Sequence, residues 1–148
     1  MQEVLKYLHF DQRIYVAGSS NEPTGLLGDL AASALPEKLE FIQCPLPGLN
    51  QTDFTQFNDT ASVTTFFMSS ALAKGDAARV NYLPMQMRAT YDYLATNLDV
   101  YLLQVAYDQE RRLRVGPNLD FHESVLAQNP TVIAQLNPSM VAPAGSPL

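Results

Sequence analysis

Apolar positions along this chain switch repeatedly between the spacing of a strand and that of a helix. Residues 13–17 (RIYVA) form a short β-branched and aromatic run, the make-up of a strand. Gly18-Ser19-Ser20-Asn21 follows as a turn without bulk. From Leu26 the period becomes helical, with Leu26, Leu27, Leu30, Ala31, Ala34 and Leu35 on one side. Pro23 suits the first turn of that helix, where a missing N–H costs nothing, and Pro36 predicts its stop after Leu35.

The pattern repeats downstream. Residues 1–8 predict a short amphipathic helix on Val4, Leu5 and Leu8. Residues 39–44 (LEFIQC) are a second strand, broken by the prolines at 45 and 47, and the polar stretch 48–58 reads as a surface loop. Residues 62–68 (SVTTFFM) predict a third strand. Ser69 and Ser70 can then cap a short helix closed by Gly75. A short strand at 78–82 leads through Pro84 to a helix over 85–94, with a stripe of Met87, Thr90, Tyr91 and Leu94. Residues 98–106 (LDVYLLQVA) are apolar almost without alternation, which predicts a central strand covered on both faces. The charged stretch 108–114 runs into a Gly116-Pro117 turn. Asp120 with Glu123 three residues on predicts a capping-box start to a helix reaching Gln128. Residues 131–136 (TVIAQL) are the last strand, and 138–148 read as a linker or a truncation tail. Strands alternating with helices through short connections predict one α/β domain over 1–148, a mostly parallel sheet flanked by helices.

Composition narrows the function classes. The 148 residues are 47% hydrophobic and 16% charged, which fits a folded domain, and the net charge of −6 argues against nucleic acid and anionic membranes as partners. No apolar stretch approaches the roughly 18 residues of a membrane span, and the N-terminus lacks the pattern of a secretory signal. Cys44 is the only cysteine, so no internal disulfide forms; a reducing, cytoplasmic setting is expected.

The Gly18-Ser19-Ser20 turn is the first candidate for chemistry. A strand entering a helix through small residues presents backbone N–H groups to an anion or carbonyl, at the place where α/β sheets bind ligands. It also reads as an ordinary turn between strand and helix. GxGxxG and GxxxxGK[ST] are both absent, which argues against dinucleotide and nucleoside triphosphate sites. Glu22 is a general base or a partner of the helix dipole. Tyr82 lines a pocket or is a half-buried tyrosine with a wet tip. Asp108 organises a site or caps a turn. Arg111, Arg112 and Arg114 grip a phosphate or form the solvated arm of a hairpin. His9 and His122 lie in no metal-spaced cluster. Cys44 reads as a small buried hydrophobe.

Taken in order, these stretches resemble the N-terminal domain of the acetyl-CoA hydrolase/transferase family, which includes 4-hydroxybutyrate CoA-transferases. The matching residues are 14–23 (IYVAGSSNEP), Phe66-Phe67-Met68, Gly75 with Tyr82-Leu83-Pro84, the strand 98–106, Val132 to Asn137, and Gly145. The resemblance implies the sugar-isomerase and CoA-transferase type of α/β fold, in two similar domains. It also implies covalent chemistry, in which a glutamate attacks an acyl-CoA thioester and receives CoA as a glutamyl thioester before a carboxylate or water completes the reaction. Coenzyme A is then a substrate, with no covalently bound cofactor. In the family the nucleophilic glutamate and most CoA contacts belong to the C-terminal domain, which no stretch here matches. The expected catalytic residues in this chain are therefore none, and the expected binding residues are Gly18, Ser19, Ser20, Tyr82 and Asn137. The expected partners are an acyl-CoA, a small carboxylate, a C-terminal domain and a second copy. The family's proline- and glycine-rich turn after the buried strand is altered in 106–116 (AYDQERRLRVG), with Arg111 in place of a glycine and Arg114 in place of a serine. That departure opens a second reading, a non-catalytic module holding a carboxylate or acyl ligand. A third is a self-associating interaction domain.

Overall fold

The computed structural model describes residues 1–142 and builds them around one seven-stranded sheet. The strands are β1 (Arg13–Val16), β2 (Glu40–Gln43), β3 (Ser62–Thr65), β4 (Val80–Tyr82), β5 (Val100–Tyr107), β6 (Leu113–Val115) and β7 (Thr131–Leu136). Their order is β4-β3-β2-β1-β5-β6, with β7 also on β5. Every pairing is parallel except β5 with β6. The helices are α1 (Gln2–Leu5), α2 (Thr24–Ala31), α3 (Met87–Leu94) and α4 (His122–Leu126).

Two apolar layers hold the sheet, because successive strand residues point to opposite faces. Ile14, Val16, Phe41, Val63, Val100 and Leu102 pack with Leu26, Leu27 and Leu30 of α2. Tyr15, Ile42, Tyr101, Leu103 and Val105 pack with Leu94 of α3, and with Phe121 and Val125 at α4. β5 has β1 on one side and β7 along most of its length, so the expected central strand is central.

Several boundaries differ from the sequence expectation. Helix α2 ends at Ala31, one turn before Pro36. Ser33 Oγ donates to the Asp29 carbonyl at 2.7 Å, and Ser33 N bonds Leu30 O in a tightened turn that unwinds the helix. Strand β3 stops at Thr65, whose hydroxyl donates to Phe67 O at 2.7 Å and bends the chain; Phe67 and Met68 lie exposed. The stretch 48–58 is more than surface loop. Asp53 caps a 3₁₀ turn at Phe54–Gln56 by accepting from Thr55 N, and Phe54 stacks on Phe41 at 4.9 Å between centroids. Asp120 does not cap α4, whose N-cap is Phe121 with no side-chain cap bond. Residues 138–140 form a turn tied to Asn137, which accepts from Ser139 N at 3.0 Å. Gly145 and the rest of the expected tail lie outside the described residues. No helix among the described residues is long and apolar enough to cross a membrane.

Candidate functional site

The direction in which the sheet grows reverses between β1 and β5. From β1 the sheet grows outward through β2, β3 and β4, and from β5 it grows the other way. The loops leaving β1 and β5 therefore part at their carboxyl ends, which is where a crevice forms in such sheets. The Gly18 turn sits at that point.

Close packing fixes this turn. A side-chain carbon on Gly18 would lie 2.2 Å from the Cys44 carbonyl oxygen at the end of β2, so only glycine fits. Gly18 N donates to Asp120 Oδ2 at 3.3 Å, and the Tyr15 hydroxyl donates to the same oxygen at 2.7 Å. Ser19 N donates to Asn50 Oδ1 at 2.7 Å, and Asn50 Nδ2 donates back to Ser19 O at 3.1 Å. Asn50, 1% exposed, also takes Leu46 N and so straps the β2 loop to the β1 turn. The amides of Gly18 and Ser19, expected to face a ligand, are thus bonded to the protein's own carboxylate and amide. The next carbonyl, Ser20 O, accepts from Gln104 Nε2 of β5, and Gln104 Oε1 accepts from Asn137 Nδ2 at 2.9 Å. Ser20 and Asn137 are brought to one place through Gln104.

Tyr82 is not brought there. It is 46% exposed on β4, three strand spacings or ~14 Å from β1. Glu22 is buried and accepts from Gln43 Nε2 at 2.9 Å, while α2 starts two residues later at Thr24. Asp108 closes the β5–β6 hairpin. It accepts from Arg112 Nε at 3.0 Å and from Arg114 Nε at 2.9 Å, and Arg114 is 4% exposed. Two of the three arginines are therefore held by the hairpin itself, and Arg111 lies at its tip with φ 60°. The backbone N–H of Arg112, with the Arg114 and Arg112 guanidinium groups, holds the Asp108 carboxyl far below its usual range against the opposing effect of burial.

Around Asp120 the groups are held in their neutral forms. Burial pushes the Cys44 thiol up to about 12, with the Asp120 charge adding to it. Burial and then Asp120 raise Tyr15 and Tyr101 as well. Asp120 itself is raised by burial, partly offset by its bonds from Tyr15 and Gly18. The Tyr101 hydroxyl lies 3.3 Å from His122 Nδ1, and burial lowers that imidazole. His9 is exposed, and its backbone N–H bonds to Gln12 Oε1 at 2.7 Å. A protonated thiol and two protonated phenols are poor nucleophiles. Among the described residues no group of three or more His, Cys, Asp or Glu is placed to hold a metal ion.

Asp120, Asn50 and Gln104 are the members that sequence reasoning missed. Asp120 carried a capping-box pattern, Asn50 lay in a polar stretch, and Gln104 was one polar residue in an apolar strand. None had a local signal of its role, because the bonds that tie each one to the turn cross to residues at least 31 positions away, as from Ser19 N to Asn50. Open grooves lie elsewhere, one of about 550 Å³ between α3 and α4 beside Met87, Tyr91 and Ser124, and one beside Glu40, Thr64 and Asn81.

No protein-family model matches the sequence, and no curated protein matches it. Solved structures share its fold. RipA from Yersinia pestis superposes with a TM-score of 0.73 at 17% identity, over 94% of this chain and 36% of RipA. One RipA variant superposes at 0.77 with 17% identity, over 98% of this chain and 37% of the variant. Another superposes at 0.69 with 14% identity, over 99% and 43%. The chain spans less than half the length of the RipA structures it matches, and at that identity what it shares with them is the α/β fold.

Proposed function

We propose that this chain is the N-terminal domain of a CoA-transferase or acyl-CoA hydrolase. Its share is to shape the acyl and carboxylate side of the pocket, and a C-terminal domain supplies the nucleophilic glutamate. In that chemistry a glutamate oxygen bonds to the thioester carbonyl carbon and the C–S bond breaks. The released CoA thiolate then attacks the glutamyl carbonyl of the anhydride and frees the acyl group as a carboxylate. One juxtaposition carries the reading. Two stretches that bear the family resemblance, the turn after β1 and the asparagine after β7, meet through Gln104 at the sheet's switch point. The neutral Cys44, Tyr15 and Tyr101 agree with a nucleophile located elsewhere.

The test is an assay with acetyl-CoA and a short carboxylate acceptor, on the chain alone and on a longer protein that joins it to a second domain. The chain alone should neither release nor transfer CoA. In the longer protein Asn137→Ala should lower kcat/KM about 10-fold, the worth of one hydrogen bond. Turnover by the isolated chain would overturn this division of labour.

A second reading, a non-catalytic carboxylate- or acyl-binding module, is favoured by one observation: the turn that departs from the family pattern is closed on itself, with Asp108 held by Arg112 and Arg114. Ligand binding raises the melting temperature by mass action. A thermal shift with short carboxylates or CoA, without turnover in the longer protein, would select this reading.

A further inference from the structure

Among the described residues, β7 ends the sheet on its side with no strand paired beyond it, and Thr131–Leu136 pairs with β5 alone. Edge strands of monomers are shielded by charge, an internal proline or a bulge. TVIAQL carries no charge and no proline, and its register with β5 runs unbroken over all six residues. Its faces differ. Ile133 packs on the α2 layer, and Gln135 Oε1 accepts from Leu26 N at 2.8 Å. On the opposite face Val132, Ala134 and Leu136 lie open, with Val132 43% and Leu136 49% exposed.

Charge says what fits here. Every ionisable side chain of the sequence lies at or before Glu123; residues 124–148 contain no Asp, Glu, Lys, Arg or His. With a net charge of −6, two copies repel one another overall, and β7 brings no charged side chain of its own to a contact between them. A partner selected by charge finds nothing to hold. An uncharged apolar strand of equal length does, and the chain carries one in β7 itself.

We propose that β7 is a self-association edge, where two copies pair β7 antiparallel to β7 across a twofold axis and run their sheets into one. A twofold pairing places residues of the same face opposite one another. Centred on Ala134, it sets Ala134 against Ala134 and Val132 against Leu136 on the open face, and leaves Pro130 and Pro138 outside the ladder. Centred on Ile133, it would set Leu136 against Pro130, which donates no ladder hydrogen bond. The Ala134-centred register therefore buries more apolar surface and loses no backbone pairing. The inference rests on the sheet alone, and the acyl chemistry proposed above is a separate matter.

Sedimentation of the chain at tens of micromolar should give twice its 16.3 kDa mass. Ala134→Lys, with its circular dichroism unchanged, should return the mass to that of a single chain. In a Cys44→Ser background, Ala134→Cys places two thiols within disulfide reach across the axis. It should cross-link under mild oxidation at least ~10-fold faster than Asp29→Cys, which lies exposed on α2. A single-chain mass for the unaltered protein, or a dimer that persists in Ala134→Lys, overturns the proposal. Should that variant fail to fold, the cross-link decides, and equal rates for the two cysteines overturn it.

Discussion

Two backbone positions show how single residues set the loops at the end of the sheet, and they call for opposite substitutions. Gly18 has an ordinary φ of −92°, so its requirement is one of space. An added methyl would meet a backbone carbonyl at 2.2 Å, and a backbone cannot swing aside as a side chain can. Gly18→Ala should cost about 1–3 kcal/mol through overpacking. Urea unfolding should show a lower midpoint with an unchanged m-value, and an unchanged midpoint would contradict the contact. Arg111 is the reverse case. It sits at φ 60°, where a side chain is strained by about 1–2 kcal/mol and glycine is not. Glycine adds about 0.5–1 kcal/mol of unfolded-chain entropy, so Arg111→Gly should stabilise by about 0.5–1 kcal/mol. A rise in melting temperature of about 2–4 °C for each kcal/mol is the expected reading. This is the position where the family resemblance expects glycine, and the hairpin keeps a glycine-like backbone with an arginine on it.

At the scale of elements, the strands were legible because their cores are local. β1, β2 and β5 each carry short apolar stretches with β-branched or aromatic residues that need no distant information to be read as covered strands. The α/β architecture then followed from their alternation with helices. Element ends were less legible. α2 stops at Ala31 through a serine side chain bonding its own turn, a competition that hydrophobic spacing does not record. The polar stretch 48–58 hid the buried Phe54 and Phe57, because the Asn, Gln and Asp residues around them set its average. The site was legible only in part. Gly18, Ser19, Ser20 and Asn137 were singled out, and the last two do meet, but the groups that fill or bridge the turn are Asp120, Asn50 and Gln104. Asp120 is the clearest case. Its spacing to Glu123 satisfied the capping-box pattern, yet at φ 44° its carboxylate turns to Tyr15 and Gly18 on the first strand. A local motif and a long-range hydrogen bond competed for the same oxygen, and the sequence displays only the first.

For the whole molecule, these two carboxylates should leave opposite marks on stability as pH changes. Asp120 is raised by burial, so the folded chain holds its proton at a pH where the unfolded chain, with a carboxyl near ~3.9, has lost it. Its contribution is fully present below that unfolded value and is lost as pH rises through the folded one. Asp108 is lowered, first by the Arg112 backbone N–H and then by the Arg114 and Arg112 guanidinium groups. Its contribution is present above the unfolded value and is lost as pH falls toward the folded one. Two variants separate the effects. Asp120→Asn keeps an acceptor for the Tyr15 hydroxyl and removes the titration, so the stability difference between wild type and this variant should shrink as pH rises from about 4 and then level off. Asp108→Asn should give a difference that grows from acid pH and levels off above about 4. Urea unfolding in steps between pH 3 and 8 measures both. An Asp120→Asn difference that grows with pH would mean that the bonds from Tyr15 and Gly18 outweigh burial, whereas a flat difference would mean that the carboxylate at the Gly18 turn is solvated. The close packing of the β1, β2 and α4 loops around that turn would then be wrong, and the turn would be open to a ligand.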